Sequence, residues 1–264
     1  MNLTFYVFIA VIAASLASFY RALGDRILLY FYGSGRKKLV DGVRRPLPFL
    51  EKWRLIFTEP SACPNCNSRI STSYLLPVVG WLLAKGHCEH CNSRISIWHC
   101  ITEICFAVMA VIVFYKLQSA VATLLLLLFF GHLLVSMNTD WHRLTLDYEN
   151  TFILAVLSVG FLYAHEGNVF FLERLYSALG VGGFFLAAFV LTRGRQPGFG
   201  DILLGFVLGF QHGFPWILVP LQVGAMGSLL HLWLVRRNFK QAAPLGFYMA
   251  LGSMITSLIV LFVY

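Results

Sequence analysis

Residues 121–140 read VATLLLLLFFGHLLVSMNTD, an apolar run that ends at the acidic residue Asp140. A run of about 20 apolar residues matches the hydrocarbon thickness of a bilayer. An acidic side chain beside such a run is costly and indicates a functional role. Of the chain's 264 residues, 58% are hydrophobic and only 12% are charged, with a mean hydropathy of +0.74. Because a soluble domain has about 25% charged residues, the sequence predicts an all-α polytopic membrane protein.

Further apolar runs of similar length lie along the chain and predict about eight transmembrane helices. The predicted spans are residues 3–23, 98–115, 119–138, 150–164, 175–192, 201–213, 215–235 and 245–264. The count falls to six or seven if the short run 201–213 and the run interrupted by Pro215 and Pro220 are half-helices. The first run lacks the basic start of a cleavable signal peptide, so we predict that it is retained as a span.

The distribution of positive charge predicts the orientation in the membrane. Half of the 20 Lys and Arg residues fall in one loop, which the excess of positive charge places in the cytoplasm. These residues are Arg36, Lys37, Lys38, Arg44, Arg45, Lys52, Arg54, Arg69, Lys85 and Arg94. The loop lacks regular aromatic interleaving and lies between spans, so nucleic-acid binding is not expected. The partner predicted from composition is the lipid of the membrane.

The remaining connections agree with this orientation. Those predicted inside carry Arg143, Arg193, Arg195, Arg236, Arg237 and Lys240, whereas those predicted outside carry only Lys116 and Arg174. The N-terminus is therefore predicted to be periplasmic. Asp140 and Asp201 are both predicted at the cytoplasmic edge of the membrane.

Four cysteines in the basic loop have the spacing of a metal site. Cys63 and Cys66 form one CxxC knuckle, Cys88 and Cys91 form a second, and each is followed by Asn-Ser-Arg-Ile. Paired CxxC knuckles predict a tetrahedral Cys₄ site for structural Zn²⁺. The alternatives are two disulfides, which a reducing cytoplasm disfavours, and a redox dithiol, which needs only one knuckle. His87 and His90 are expected to be bystanders, and Cys100 and Cys105 to be buried apolar residues.

Asp201 ends the tetrapeptide Gly198-Phe199-Gly200-Asp201 and begins an apolar run. A helix N-terminus stabilises a carboxylate, and glycine permits close backbone approach. Two neighbouring carboxylates that share a proton can supply the base and the acid of a hydrolytic reaction. For Asp140 alone, the alternative is an interfacial residue that caps a helix or pairs with Arg143.

These elements together resemble the type IV prepilin peptidases, a resemblance that covers most of the chain. Ser18-Phe19 with Arg26 is similar to the family's N-terminal SF…R element, and both CxxC knuckles follow it. Glu103 lies where the family has a glutamate entering the second span. Asp140 matches the aspartate that opens the family's D…LPD stretch, and Asp201 matches the aspartate of its GxGD motif. The chain departs from the family at Asp147-Tyr148, which replaces the Pro-Asp of LPD, and at Leu203, where a lysine is common.

The resemblance implies an aspartic endopeptidase of the bacterial inner membrane, with Asp140 and Asp201 as its catalytic residues. Such enzymes remove the leader of type IV prepilins and pseudopilins, and many then methylate the new N-terminus with S-adenosylmethionine. Glu103 becomes a candidate for binding the substrate. The implied organisation is a first transmembrane helix (1–31), a cytoplasmic loop with the CxxC pair (32–97) and a transmembrane peptidase core (98–264).

Two other classes of protein remain as alternatives. The first is a non-enzymatic scaffold of a pilus or secretion system, whose zinc loop binds a partner. The second is a transporter that uses the acids as a proton relay, but its carboxylates would be expected near mid-membrane rather than at the edge.

Overall fold

The computed structural model describes residues 3–33, 48–167, 171–194, 196–237 and 241–263. Helices dominate these residues, which contain no β-strand and only two isolated antiparallel bridges, Ala62–Arg69 and His87–Arg94. The predicted all-α membrane class is therefore confirmed. Several of the basic residues used for the orientation fall outside the described residues: Arg36, Lys37, Lys38, Arg44, Arg45, Arg195 and Lys240.

Each predicted span corresponds to a helix. The long helices are α1 (Leu3–Tyr32), α4 (Trp98–Leu117), α5 (Ala120–Arg143), α6 (Tyr148–Glu166), α7 (Phe171–Leu191), α8 (Phe199–His212), α9 (Leu218–His231) and α10 (Leu245–Val263). Within the described residues, six helices are long and apolar enough to cross a membrane, α9 being counted together with a π-helical turn over Leu232–Arg236. The 14 residues of α8 rise only about 21 Å, which is short for a full crossing.

The chain divides into two compact units, residues 1–111 and 112–264. The first unit contains α1, the short helices α2 (Phe49–Thr58) and α3 (Val79–Leu83), and the first part of α4. Helix α2 packs against the end of α1, where the Arg26 guanidinium donates to the Ile56 carbonyl at 2.6 Å. The side chain of Ile56 is fully buried at this junction.

The second unit is a bundle in which neighbours along the chain pair with one another. The pairs are α5 with α6, α7 with α8, and α9 with α10, and α10 also packs on α5 and α8. Pro220 lies in the first turn of α9, where its missing N–H has no helical partner to lose. The short connections bring the end of α5 and the starts of α8 and α10 into one region.

Glycines set the close approach of these helices, as expected where lipid gives no hydrophobic force for association. A Cβ atom on Gly209 of α8 would lie 2.8 Å from the Ala178 Cα of α7. A Cβ on Gly252 of α10 would similarly lie 2.8 Å from the Pro220 Cα of α9. Both neighbours are backbone atoms, which cannot rotate away.

Gly209→Ala is therefore expected to destabilise the protein by about 1–3 kcal/mol, the usual cost of overpacking a tight contact. Gly180→Ala on α7 is the matched control, because nothing lies within 4 Å of its added Cβ and alanine favours a helix. Thermal unfolding of the purified proteins in detergent measures both changes. Equal midpoints for the two variants would contradict the close packing of α7 on α8.

Candidate functional site

Asp140 lies near the end of α5, with 4% of its surface exposed. Its Oδ2 accepts a hydrogen bond of 2.8 Å from the backbone N–H of Phe247. Phe247 is in the first turn of α10, where N–H groups have no partner within the helix and the helix dipole favours negative charge. Asp140 therefore caps a helix that begins more than 100 residues later.

Asp201 likewise accepts a backbone N–H at the start of a helix, in this case α8. It lies in the first turn of that helix, and its Oδ2 accepts the backbone N–H of Gly198 at 2.9 Å. This bond gives the carboxylate one fixed donor and satisfies the N–H of the residue that precedes the helix. The side chain is partly buried rather than enclosed.

Leu146 connects the surroundings of the two acids. A Cβ atom on Gly200, next to Asp201, would lie 2.9 Å from the Leu146 Cβ. A Cβ on Gly246, next to Phe247, would lie 2.9 Å from the Leu146 Cδ1 and 3.2 Å from the Asp140 Oδ2. Leu146 is therefore a shared neighbour of the Asp140 carboxylate region and of the helix turn that carries Asp201. The two predicted acids are therefore brought together, at helix ends rather than within a helix.

A buried polar group secures the hairpin that carries Asp140. The Asn150 side chain on α6 donates to the Ser136 hydroxyl at 2.8 Å and to the His132 carbonyl at 3.0 Å, and its Oδ1 lies 2.7 Å from the His132 Nδ1. These bonds join α6 to α5 within the last three turns of α5. At the end of α5, the Leu144 N–H donates to the Asp140 carbonyl at 2.8 Å, and Leu144 has the left-handed conformation of a helix C-cap.

Trp141, the residue after Asp140, belongs to a group of aromatic side chains that no sequence pattern predicted. The Trp141 ring lies 4.9 Å from that of Phe247 and 5.2 Å from that of His231, between ring centroids. The His231 Nδ1 lies 3.2 Å from the Tyr248 hydroxyl. The π-helical turn that follows His231 is a local indication of a functional site, since such turns are frequent at functional sites.

The four predicted zinc ligands lie together in the first unit. Every pair of Sγ atoms among Cys63, Cys66, Cys88 and Cys91 is within 4.8 Å. The Cys63–Cys91 and Cys66–Cys88 separations are 3.8 and 3.9 Å. A tetrahedron with Zn–S bonds of about 2.3 Å has S···S edges of about 3.8 Å. The cluster therefore has the dimensions of a Cys₄ metal site, and all of its cysteines are free thiols.

The two knuckles have the same local structure because they share the Asn-Ser-Arg-Ile sequence. In each, the first cysteine accepts the N–H of the asparagine, Asn67 or Asn92, at 2.9 Å. Both asparagines have positive φ, of 59° and 55°, a conformation that asparagine tolerates better than most residues. Hydrogen bonds from Ser93 and Asn65 lower the pKa of Cys91 to about 5, which favours the thiolate that binds metal.

The other cysteines and histidines do not join the cluster. His87 Nδ1 lies 2.8 Å from the Lys85 carbonyl, and His90 is exposed. Cys100 is buried, as predicted, but the prediction of a buried Cys105 is wrong because that side chain is exposed on α4. A span can present an apolar side chain to lipid as readily as to protein, so membrane helices need not bury it.

Glu103 is buried in the first unit, where its carboxylate accepts the Val78 N–H at 2.6 Å. Val78 has φ of 61° and ψ of −54°, and the Val79 N–H donates across it to the Pro77 carbonyl at 2.6 Å. This geometry is a γ-turn of the rare, strained kind. Glu103 thus holds a strained turn, and a role in binding substrate remains a prediction.

The membrane-spanning helices, the paired carboxylates and the Cys₄ cluster together define a class of polytopic membrane proteins with two acids at helix ends. Comparisons with known sequences identify the family. Residues 7–117 match the Bacterial Peptidase A24 N-terminal domain, and residues 126–264 match the Type IV leader peptidase family. The chain belongs to the type IV leader peptidase family.

Relatives with established names include several proteins called prepilin leader peptidase/N-methyltransferase. One from Aeromonas salmonicida is 28% identical over 209 residues, which cover 75% of this chain and 70% of the relative. One from Pseudomonas putida is 28% identical over 224 residues, which cover 80% and 76%. No solved structure matches the chain. The family assignment confirms the resemblance predicted from the sequence and supports an enzyme of this family.

The Cys₄ geometry predicts about one zinc ion per chain, as expected for a single tetrathiolate site. Cys91→Ser is expected to lose most of the metal, because one of four thiolate ligands is removed. Cys105→Ser is the matched control, since this exposed thiol lies outside the cluster. Elemental analysis of protein purified in reductant without chelator measures the metal. Equal zinc contents in the two variants would contradict the site.

Proposed function

We propose that this protein is an intramembrane aspartic endopeptidase that removes the leader of type IV prepilins or pseudopilins. The observation that carries the proposal is the pairing of Asp140 and Asp201, each held by a backbone N–H at the start of a helix and joined through Leu146. The names of the relatives support the substrate class. The substrate is therefore a peptide bond at the edge of an apolar helix.

The proposed mechanism divides acid and base between the two carboxylates. Two neighbouring carboxylates do not both ionise cheaply, so in this proposal the pair holds one proton. The ionised carboxylate takes a proton from water as the water attacks the scissile carbonyl, and the protonated one gives its proton to the carbonyl oxygen, which forms a gem-diol. The carboxyl that received the water proton then gives it to the leaving amine, while the other carboxylate takes a proton back from a gem-diol hydroxyl as the C–N bond breaks, so the pair again holds one proton. The fixed donors, the N–H groups of Phe247 and Gly198, orient the carboxylates before the substrate arrives.

We place this reaction at the cytoplasmic face of the bacterial inner membrane, with a periplasmic N-terminus. The support is the unequal distribution of Lys and Arg between the two sets of connections. Six apolar helices in the described residues agree with a multi-pass protein. A transporter is not favoured, because Asp140 and Asp201 lie at helix ends rather than in the middle of a span.

The remaining assignments rest on the family and on the sequence. The relatives' names support N-methylation of the new N-terminus, with S-adenosylmethionine as the methyl donor. Zinc is the proposed ion of the Cys₄ cluster, where its role is to stabilise the loop around the two knuckles. We retain the division into residues 1–31, 32–97 and 98–264, and Glu103 as a candidate for contact with the substrate.

Asp140→Asn and Asp201→Asn are each expected to abolish cleavage of a co-expressed prepilin, because an amide can neither accept the proton from water nor hold the shared one. Glu149→Gln is the matched control, an exposed acid on the neighbouring helix that should leave cleavage unchanged. Immunoblotting of the prepilin gives the cleaved fraction, and zinc content reports folding.

A zinc-loop scaffold predicts the opposite pattern. Its activity would survive both Asp→Asn changes and would be lost when all four cluster cysteines are replaced by serine. Normal processing by either aspartate variant would therefore reject the protease assignment.

Gly246→Ala tests the position of Asp140 without changing either acid. The added Cβ would lie 3.2 Å from the Asp140 Oδ2 and 2.9 Å from Leu146, so it is expected to displace the carboxylate and reduce the cleavage rate at least about tenfold. Gly183→Ala, which has nothing within 4 Å of its added Cβ, is the control. Rates of prepilin cleavage are measured at a temperature well below the unfolding midpoint of both variants. An unchanged rate in a stable Gly246→Ala protein would mean that this geometry does not matter.

A further inference from the structure

A second site lies in the bundle, away from the aspartates. A cavity of about 290 Å³ opens where α6 ends and α7 begins, and the far end of α8 forms one wall. Its main lining residues are Leu162, Tyr163, Glu166, Phe171, Arg174 and Phe210. The cavity lies at the Glu166 end of α6, whose 19 residues rise about 28 Å from Tyr148. The Tyr148 ring lies 6.0 Å from that of Phe199, in the same helical turn as Asp201, so the cavity is at the opposite end of α6 from the acids.

One end of the cavity is charged. The Arg174 guanidinium pairs with the Glu166 Oε1 at 2.7 Å and donates to the Gln211 carbonyl at 2.9 Å. The other carboxylate oxygen, Glu166 Oε2, is buried and has no hydrogen-bond partner among the described residues. An acceptor left unsatisfied in this way is costly. A ligand that brings an N–H or O–H donor would remove this cost.

Arginine has five N–H donors, and the bonds to Glu166 and Gln211 use one N–H on each terminal nitrogen. The remaining donors suit an anionic oxygen such as that of a phosphate. The charged end of the cavity thus offers an acceptor beside a donor group. A ligand with an adjacent phosphate and ammonium would match both and would leave the net charge of the site unchanged.

The other end of the cavity is apolar. The Phe171 and Phe210 rings meet edge to face at 5.3 Å, and Leu162 packs beside them. Tyr163 and Phe171 are exposed, and Phe171 begins a helix that is apolar enough to cross a membrane, so we expect this wall to face lipid. The volume is at the lower limit of about 300 Å³ for a ligand pocket, enough for a headgroup with its chains remaining in the bilayer.

We infer that this cavity binds a phospholipid with a primary ammonium headgroup, phosphatidylethanolamine. The ammonium donates to Glu166 Oε2, the phosphate accepts from Arg174, and an acyl chain lies along Phe171 and Phe210. A choline headgroup has the same charges but no N–H to donate. A glycerol headgroup lacks the cation. The inference is independent of the proposed protease chemistry.

The test uses the full-length protein in nanodiscs of phosphatidylcholine with a minor fraction of one test lipid. Native mass spectrometry measures the lipid retained on the protein. Phosphatidylethanolamine is expected to be retained about tenfold more than phosphatidylcholine or phosphatidylglycerol, the factor for one charge-assisted hydrogen bond. Equal retention of the three lipids would overturn the inference and would indicate that water satisfies Glu166.

Two further comparisons identify the contacts. Glu166→Gln should lose the preference for phosphatidylethanolamine, whereas Glu173→Gln, which changes an exposed acid on α7 outside the cavity lining, should keep it. If Glu166→Gln does not fold, the wild-type protein is titrated with phosphatidylethanolamines carrying one and then two N-methyl groups. Retention should fall as N–H donors are removed, and a constant value would reject the ammonium contact.

Discussion

Backbone N–H groups at the start of a helix have no partner within it, and in this bundle two such groups fix the positions of the acids. At the edge of a membrane these donors are expensive to leave unsatisfied. The Gly198 N–H is satisfied locally, by Asp201 three residues later. The Phe247 N–H is satisfied by Asp140 on a distant helix. This second bond ties the end of α5 to the start of α10, so the helix cap and the arrangement of the acids depend on one contact.

Close packing around Leu146 makes the arrangement specific. Gly200 of α8 and Gly246 of α10 both lie against the Leu146 side chain. A Cβ at either position would lie 2.9 Å from it. Leu146 is also the leucine of the family's D…LPD stretch, whose following residues are changed in this chain to Asp147 and Tyr148. Here Asp147 becomes the residue that precedes α6. In this chain the leucine contacts both glycines, and the residue after it precedes α6.

The first unit shows how a loop with little apolar core becomes ordered. Its two knuckles repeat one short sequence, and each uses an asparagine with positive φ to turn the chain so that its thiols face those of the other knuckle. The strained turn at Val78 lies between the two knuckles in the chain, and the Glu103 carboxylate holds it. A cysteine cluster that could hold a metal ion and one buried carboxylate are therefore the ordering contacts of this small, core-poor segment.

The sequence by itself determined the membrane class, the helices and the Cys₄ cluster, and it singled out Asp140 and Asp201 as candidate acids. Apolar length, CxxC spacing and the GxGD tetrapeptide are local patterns, and their physical meaning does not depend on distant residues. Only the tertiary structure decided what surrounds those acids. The Phe247 N–H, the contact of Gly246 with Asp140, and the rings of Trp141 and His231 come from helices far apart in the chain. Which helix ends meet is set by packing between helices, and hydrophobic pattern along one segment carries no information about its partner.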